Sequence, residues 1–487
     1  MDGPANQQLH FAIFPFMSQG HMIPMIDIAR LLAQRGVIIT IFTTPLNAAR
    51  FKPSLARLIE SGLRIQILQV QFPSVETGLP GGCENMDLVP SLGLSPNFFT
   101  AADMLQEQVE KLFGELKPKP DCLISDVCLP YTANIASKFD VPRIAFHGIG
   151  CFPALCFNII FSSGVLQSVT SDSEYFSVPG LPDKLEFTKL QVDCAGPQAK
   201  VLGEKIGAAA QVTYGEIINS FEELEPAYAK EYKKMKNDKV WSVGPVSLDR
   251  RDNLDKAERG NKTSVDEQKF LMNWLDSKDP NSVIYACFGS MCNLIPSQMI
   301  ELGLGLEASN RPFIWVIREG ETLKELQKWV AEDGFEERIK GRGLVIWGWA
   351  PQVLILSHSS VGGFLTHCGW NSTLEGVSAG LPMLTWPLFA DQFVNEKFIV
   401  QILKIGVRVG VEYPTPWGEE QSVGVLVKRD DVKNAVGKLM DEGKEGEERR
   451  ERARELVKLA KLAVQEGGSS HHNITLLLED IIKQRRH

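Results

Sequence analysis

Short apolar runs alternate with amphipathic stretches along the first 150 residues of the chain. The run at 9–16 leads into a polar turn, after which apolar residues recur at helical spacing until Gly36. The β-branched run at 37–44 is continuous, which is typical of a strand buried on both faces. Strand–helix alternation of this kind predicts a parallel sheet covered by helices. The same pattern predicts strands at 63–70, 121–126 and 142–147, and helices near 47–62, 100–114 and 131–138.

A second series of the same kind begins after residue 280, and the end of the chain has helical periodicity. The segment 247–268 between the two series is charged and poor in large apolar residues, which indicates a linker. We therefore predict an α/β protein with two Rossmann-like domains, 1–246 and 269–465, joined by this linker. Apolar runs in the second series predict strands at 282–290, 313–318, 343–347, 361–367 and 381–386.

Composition agrees with two globular domains. The 487 residues exceed the size of a single hydrophobic core, and 44% of them are hydrophobic and 23% charged. A net charge of −9 argues against a nucleic-acid partner. The nine cysteines include no C-x-x-C pair, which favours reduced thiols in a cytoplasmic protein over a zinc ribbon. No secretory leader is visible, and no apolar stretch reaches the roughly 18–20 residues of a membrane span.

Two titratable residues follow strands of the first domain. His21 stands at the start of a helix after the first strand, where an imidazole suits general-base work near neutral pH. Asp126 ends the fourth strand, at the same edge of the sheet, and could orient that imidazole. The alternatives are that His21 bonds nearby backbone at the helix start and that Asp126 caps the helix beginning near Pro130.

The end of the 361–367 strand carries an anion-site pattern. A short turn there leads into a helix, so free backbone N–H groups face outward beyond the strand, as a diphosphate requires. Asn371 and Ser372 are good cap residues for this helix and can also donate to phosphate oxygens. His367 can donate to the same phosphates. The tight turn at Gly289 and Ser290 adds further N–H groups.

Other residues of the 349–392 stretch suit a nucleoside and a sugar. Trp349 offers a flat face for a base, and Glu375, one turn after Asn371, can accept from ribose hydroxyls. Asp391 and Gln392 open the next helix and could bind sugar hydroxyls. Each of these residues taken alone also fits a structural role, with the tryptophans in the core and Glu375 on a solvated face. Separate structural roles are a poor explanation for the occurrence of all these residues within one stretch.

The stretch from Trp349 to Gln392 resembles the 44-residue signature box of plant family-1 UDP-glycosyltransferases. W-x-P-Q, H-C-G-W-N-S, the glutamate and D-Q stand in register, and the likeness extends over essentially the full chain through G-H-x-x-P at 20–24 and F-G-S at 288–290. The resemblance implies a GT-B fold, with the two Rossmann-like domains facing across a cleft. It places the acceptor mainly on the N-terminal side, the UDP-sugar mainly on the C-terminal side, and a final helix, 466–487, back on the N-terminal domain.

The resemblance also implies a role for each matching residue. It makes His21 the base and Asp126 its partner. Gln392 is similar to the residue of glucose users, whereas a histidine there is associated with galactose. The implied UDP-sugar site holds uracil on Trp349 beside Ala350, ribose on Gln352 and Glu375, diphosphate on Ser290, His367, Asn371 and Ser372, and the sugar on the Trp370 backbone, Asp391 and Gln392.

We therefore expect an inverting hexosyltransferase that moves glucose from UDP-glucose to a hydroxyl of a small lipophilic plant metabolite. The acceptor class is a flavonoid, triterpenoid, steroid or phenolic, and the product is a β-O-glucoside. The expected enzyme is a monomer that requires no metal or cofactor beyond its donor substrate. Apolar acceptor walls are expected at Met17, at Phe389 and in the segments 72–95 and 147–151.

Two other functions are compatible with Rossmann-like domains or a UDP-sugar site. A nicotinamide-dependent dehydrogenase would carry G-x-G-x-x-G after its first strand, and this loop has a single glycine. The Gly303-Leu304-Gly305 triplet lies within a helical pattern and is assigned to packing. A UDP-sugar-binding protein without activity would not need His21 and Asp126.

Overall fold

A computed structural model of the chain describes residues 8–192, 197–249, 256, 259, 264–292, 294–318 and 323–485. The described residues form two large parallel sheets, one before and one after the predicted linker. Most of that linker, 250–255, 257–258 and 260–263, lies outside the described residues. A helix already begins at Val265, inside the predicted linker range.

The first sheet has seven parallel strands in the order β3-β2-β1-β4-β5-β8-β9, with β6 and β7 forming a separate antiparallel pair. The chain runs outward from β1 to β3 and then returns to β4 on the other side of β1. The carboxyl ends of β1 and β4 therefore flank the point where strand order reverses, which is where open α/β sheets bind ligands. The bounds are β1 His10–Phe14, β2 Ile38–Thr43, β3 Ile65–Gln69, β4 Cys122–Asp126, β5 Arg143–His147, β6 Tyr175–Ser177, β7 Glu186–Thr188, β8 Gly215–Ile218 and β9 Val240–Ser242.

The second sheet has six parallel strands in the order β12-β11-β10-β13-β14-β15. Its reversal point lies between β10 and β13, so the turns that follow these two strands meet at one crevice. The bounds are β10 Val283–Cys287, β11 Phe313–Ile317, β12 Gly343–Trp347, β13 Val361–Thr366, β14 Met383–Thr385 and β15 Gly406–Arg408. Both sheets are thus built the same way, with a ligand crevice beside the central strand.

Helices cover both sheets, as the alternating pattern predicts. No helix among the described residues is both long enough and apolar enough to cross a bilayer. In the first half the helices are α1 Gln19–Gln34, α2 Pro45–Glu60, α3 Ser95–Asp103, α4 Gln106–Glu115, α5 Thr132–Phe139, α6 Cys151–Ser162, α7 Val165–Ser168, α8 Lys189–Val192, α9 Pro197–Gln211 and α10 Pro226–Met235. In the second half they are α11 Val265–Asp276, α12 Pro296–Ala308, α13 Leu323–Glu332, α14 Phe335–Ile339, α15 Gln352–Leu356, α16 Trp370–Ala379, α17 Gln392–Lys397, α18 Glu420–Val423, α19 Arg429–Leu439, α20 Lys444–Val464 and α21 Ser469–Gln484.

The predicted single helix near 100–114 is two helices, α3 and α4. The backbone N–H of Leu105 donates to the carbonyl of Ala102 at 3.2 Å, an i to i−3 bond that tightens the chain between them. Leu105 is 2% exposed, so the tightened turn directs its side chain into the core. Periodicity alone does not reveal such a break because the apolar spacing continues across it.

The last helix, α21, packs against β9 at the edge of the first sheet. The Asn473 amide donates to the Ser242 carbonyl and to the Glu222 carboxylate, both at 3.0 Å. The Lys239 ammonium lies 2.8 Å from the Asp480 carboxylate. The end of the chain therefore returns from the second sheet to the first and ties the two halves together.

The indole of Trp370 makes a second tie between the halves. Its Nε1 donates to the backbone carbonyl of Asn219 at 2.7 Å, and the ring is 2% exposed. The ring lies directly over Gly150, where a Cβ would come within 2.3 Å of it. The backbone of Gly150 (φ −82°, ψ 176°) suits any residue, so the requirement for glycine here is steric.

We expect Gly150→Ala to destabilise the protein because the added methyl group would overlap the Trp370 ring. Overpacking of this kind costs about 1–3 kcal/mol, which lowers the midpoint of thermal unfolding. Gly203→Ala in α9 is the control, since a Cβ there meets nothing within 4 Å. Unfolding of Gly150→Ala at the wild-type temperature would show that the indole does not rest on Gly150.

Candidate active site

A cleft of about 1500 Å³ lies between the carboxyl ends of the two sheets. His21 and every residue predicted for the UDP-sugar site border it, while Asp126 lies behind His21. The structure therefore brings the whole predicted set together. The bordering residues are His21, Ser290, Trp349, Ala350, Gln352, His367, Trp370, Asn371, Ser372, Glu375, Asp391 and Gln392.

His21 and Asp126 form a hydrogen-bonded pair at the reversal point of the first sheet. His21 is the third residue of α1, and its Nδ1 lies 2.7 Å from Oδ2 of Asp126, the last residue of β4. The carboxylate is fully buried, and its Oδ1 accepts from the backbone N–H of Cys128 at 2.9 Å. The imidazole side chain keeps 28% exposure on the cleft side. Sheet order thus joins two residues that lie 105 positions apart in sequence.

The surroundings of His21 favour its protonated form. Burial lowers the pKa of His21, but the charge of Asp126, the hydrogen bond to it and the charge of Asp391 outweigh burial and raise it above 6.5. Because Nδ1–H donates to Asp126, the neutral ring keeps its lone pair on Nε2. An imidazole held this way is well suited to accept a proton at Nε2.

Cys128 completes the one group of three metal-ligating side chains found among the described residues. The ligand atoms of His21, Asp126 and Cys128 all lie within 4.8 Å of one another. A cation here would have to replace the hydrogen bond between His21 and Asp126. It would also have to deprotonate a thiol whose pKa is raised well above its ordinary value by burial. The arrangement therefore suits proton transfer better than a resident metal ion.

The anion site follows β13, where α16 begins. The chain turns at Cys368 (φ 66°), and Gly369 is the N-cap of a helix whose first residue is Trp370. No side chain caps this helix, so the prediction that Asn371 and Ser372 cap it is wrong. The helix was expected to begin at Thr373 and begins at Trp370, three residues earlier, which puts Asn371 and Ser372 in its first turn beside the free N–H groups.

His367 is enclosed by two glycines at this turn. A Cβ on Gly289 would lie 2.7 Å from its ring, and a Cβ on Gly369 would lie 2.4 Å from it. Burial lowers the pKa of His367 to about 4, so the ring is neutral at physiological pH. Its Nδ1 is buried and has no hydrogen-bond partner among the described residues.

The residues predicted to bind ribose already contact one another. Gln352, the first residue of α15, donates through Nε2 to Glu375 at 2.7 Å and to the Ser372 hydroxyl at 3.2 Å. Its Oε1 accepts from the hydroxyl of Tyr285 at 3.3 Å. Trp349 borders the same part of the cleft, and its Nε1 is buried without a partner in the described structure.

Arg259 also contacts the carboxylate of Glu375, and sequence reasoning missed it. Its guanidinium donates to Glu375 and, at 3.0 Å, to Asp27 on α1. Arg259 lies in the charged segment 247–268, which the sequence predicts to be a linker. Nothing in the sequence therefore distinguishes Arg259 from the other charged residues there. A ribose in this site would share Glu375 with a buried arginine.

Asp391 and Gln392 lie after β14, with Asp391 as the N-cap of α17. Asp391 Oδ2 accepts from the Asn395 amide at 2.7 Å, and burial raises the pKa of Asp391 to about 6. Gln392 Oε1 accepts from the backbone N–H of Leu388 at 2.8 Å and of Phe389 at 3.2 Å. With its oxygen engaged, Gln392 presents its Nε2 as a donor.

The rest of the cleft is largely apolar, but three of the four expected walls are wrong or incomplete. Met17 is 2% exposed and packs in the core, and its neighbour Phe16 borders the cleft instead. Only Gly148 of the segment 147–151 borders the cleft. Only residues 86–92 of the segment 72–95 do so. Phe389 is a wall as expected. Trp417, which the sequence did not mark, meets it edge to face at 5.4 Å.

We expect a histidine-selective NMR titration to give His21 a pKa above 6.5, with the signal assigned by its loss in His21→Ala. Asp126→Asn removes the main charge that favours the imidazolium, so burial should then dominate and bring the pKa of His21 below 6.5. Asp391→Asn removes a smaller contribution and should lower the pKa less. A His21 pKa that does not respond to Asp126→Asn would contradict the electrostatic pairing.

Comparison with known proteins agrees with this site. The sequence model of the family described as UDP-glucoronosyl and UDP-glucosyl transferase matches residues 261–439. UDP-glycosyltransferase 73C6 of Arabidopsis thaliana is 59% identical over 479 residues, which cover 98% of this chain and 97% of that protein. The crystal structure of Glycyrrhiza uralensis UGT73P12 with glycyrrhetinic acid 3-O-monoglucuronide is 40% identical, with a TM-score of 0.88 and coverage of 98% and 96%. Arabidopsis thaliana UGT89C1 with UDP-L-rhamnose is 28% identical, with a TM-score of 0.76 and coverage of 98% and 100%.

The identity and coverage of these relatives extend the likeness well beyond the signature stretch. The two parallel sheets with opposed crevices are the GT-B fold of these structures. The chain belongs to the plant family-1 UDP-glycosyltransferases and is a glycosyltransferase enzyme.

Proposed function

We propose that this enzyme transfers glucose from UDP-glucose to a hydroxyl of a small lipophilic plant metabolite, with inversion, to give a β-O-glucoside. The observation that carries the proposal is the His21–Asp126 pair facing the N-terminus of α16 across one cleft. A base on one wall and an anion site on the other are the two groups that such a transfer needs.

In the proposed reaction, Asp126 holds His21 with Nε2 toward the acceptor. As the acceptor oxygen forms its bond to the anomeric carbon, Nε2 takes the hydroxyl proton. The bond between the anomeric carbon and the diphosphate oxygen breaks on the opposite face, and UDP leaves with that electron pair. The imidazolium is stabilised by the buried carboxylate until its proton is released to solvent.

The leaving diphosphate is stabilised by protein groups alone in this proposal. The first-turn N–H groups of α16, together with Ser290 and Asn371, donate to its oxygens. The neutral His367 donates through its ring N–H. Uracil stacks on Trp349, and the ribose hydroxyls bind Gln352 and Glu375. We therefore propose catalysis without a metal or other cofactor.

Glucose as the sugar is supported by the geometry of Asp391 and Gln392. One carboxylate oxygen of Asp391 is engaged by Asn395, which leaves the other to accept from a sugar hydroxyl. Gln392 has only its Nε2 left to offer, so it donates to an adjacent hydroxyl. The pair thus supplies one acceptor and one donor to neighbouring sugar oxygens.

A lipophilic acceptor is supported by the aromatic walls at Phe16, Phe99, Phe389 and Trp417. The related UGT73P12 structure contains a triterpenoid glucuronide, which is consistent with a flavonoid, triterpenoid, steroid or phenolic acceptor here. We also propose that the enzyme works as a monomer in the cytoplasm, where the eight described cysteines, all free, would remain reduced.

We expect His21→Ala to reduce turnover about 10²–10⁴-fold, the usual contribution of a general base, while UDP affinity measured by calorimetry stays near wild type. His472→Ala is the matched control, because His472 is an exposed histidine on α21. Near-normal turnover in His21→Ala would remove this residue from the mechanism.

The donor and acceptor are tested by incubating the enzyme with one UDP-sugar at a time and a mixed panel of flavonols, triterpenoids, steroids and simple phenols. We expect a mass gain of one hexose with UDP-glucose, and less product with UDP-galactose or UDP-glucuronic acid. In Gln392→His the preference should move toward UDP-galactose. Stabilisation by UDP-glucose without any product would instead favour a sugar-nucleotide-binding protein that has lost activity.

A further inference from the structure

Asn219 lies just beyond β8, in the first half of the chain, and joins both walls of the cleft. The residue is 3% exposed and does not border the cleft itself. Its side chain contacts Asn371, which is the residue that the proposed function assigns to the diphosphate. Asn219 is therefore placed to act on the donor site without touching a ligand.

Three hydrogen bonds in series pass through these two amides. The backbone N–H of Val246 donates to Asn219 Oδ1 at 3.1 Å, and Asn219 Nδ2 donates to Asn371 Oδ1 at 3.2 Å. Asn371 Nδ2 then donates to the backbone carbonyl of Gly20, the residue before His21. The series of bonds thus begins in the first half of the protein, crosses to α16 and returns to the start of α1.

The order of donors in this series is fixed at both ends by backbone groups. An N–H at Val246 can only donate, so it must meet the oxygen of Asn219, and the Asn219 nitrogen must then face Asn371. A carbonyl at Gly20 can only accept, so the Asn371 nitrogen must face it. Reversing either amide would place oxygen against oxygen or nitrogen against nitrogen. Neither asparagine can flip without breaking a bond.

We propose that Asn219 is a positioning residue that fixes the amide of Asn371 for diphosphate binding and holds α16 in place against the start of α1. Asn371 Nδ2 carries two hydrogens, and Gly20 takes one of them. The second remains for a diphosphate oxygen in the cleft that Asn371 borders. The proposal rests on the proposed function for the role of Asn371, while the order of the hydrogen bonds is independent of it.

The test measures binding of UDP and of uridine by calorimetry, which needs no acceptor. In Asn219→Ala and in Asn219→Asp, we expect UDP affinity to fall about tenfold, as for loss of one hydrogen bond to a charged group. Uridine affinity should stay unchanged, because uridine has no phosphate. Asn219→Asp is nearly isosteric and still accepts from Val246, but it cannot donate to Asn371. The matched control is Asn158→Asp in α6, where the amide donates to the Ala154 carbonyl.

A double-mutant comparison separates the two proposals. If Asn219 acts through Asn371, then Asn219→Ala should cause no further loss of UDP affinity in an Asn371→Ala background. Full UDP affinity in folded Asn219→Ala, an equal loss for uridine, or independent losses in the double mutant would overturn the positioning role. Unchanged UDP affinity in Asn371→Ala would instead count against the proposed donor site itself.

Discussion

The contact of the Trp370 indole with Gly150 and Asn219 is the constraint on which the active site depends. Each sheet by itself places a ligand crevice at its own reversal point, but neither crevice holds both a base and an anion site. Trp370 is the first residue of α16, and its indole is buried against the first half of the protein. The start of α16 therefore fixes both the packing between the two halves and the position of the predicted anion site. Loss of that packing would displace the site.

The two histidines of the cleft show how position decides chemistry. His21 has a buried carboxylate at 2.7 Å, which outweighs desolvation and raises its pKa. His367 is enclosed between glycine backbones with no charged partner, and desolvation alone lowers its pKa to about 4. One ring is thus prepared to gain a proton during a reaction, and the other is held neutral as a hydrogen-bonding group.

The sequence predicts the fold and the cleft residues well, because strand runs, turn residues and the signature stretch are local patterns. Asn371 shows the limit of such local patterns. Its place beside the cleft was predictable, but its hydrogen bonds to Asn219 and Gly20 were not, because they join residues far apart in sequence. Arg259 and Trp417 were missed for the same reason, since each reaches the cleft only through tertiary packing. Phe16 borders the cleft where Met17 was expected, a difference of one position that the apolar pattern of 9–17 does not resolve.

Some polar groups that border the cleft have protein partners, and others are unpaired among the described residues. Glu375 is bonded by Gln352 and Arg259, and the oxygen of Gln392 is bonded by backbone, so these groups hold their geometry before a ligand arrives. Nδ1 of His367 is buried and unpartnered among the described residues, at a cost of about 1–3 kcal/mol. Packing therefore orients Glu375 and Gln392 in the cleft through protein partners alone, whereas Nδ1 of His367 and Nε1 of Trp349 are buried without partners among the described residues.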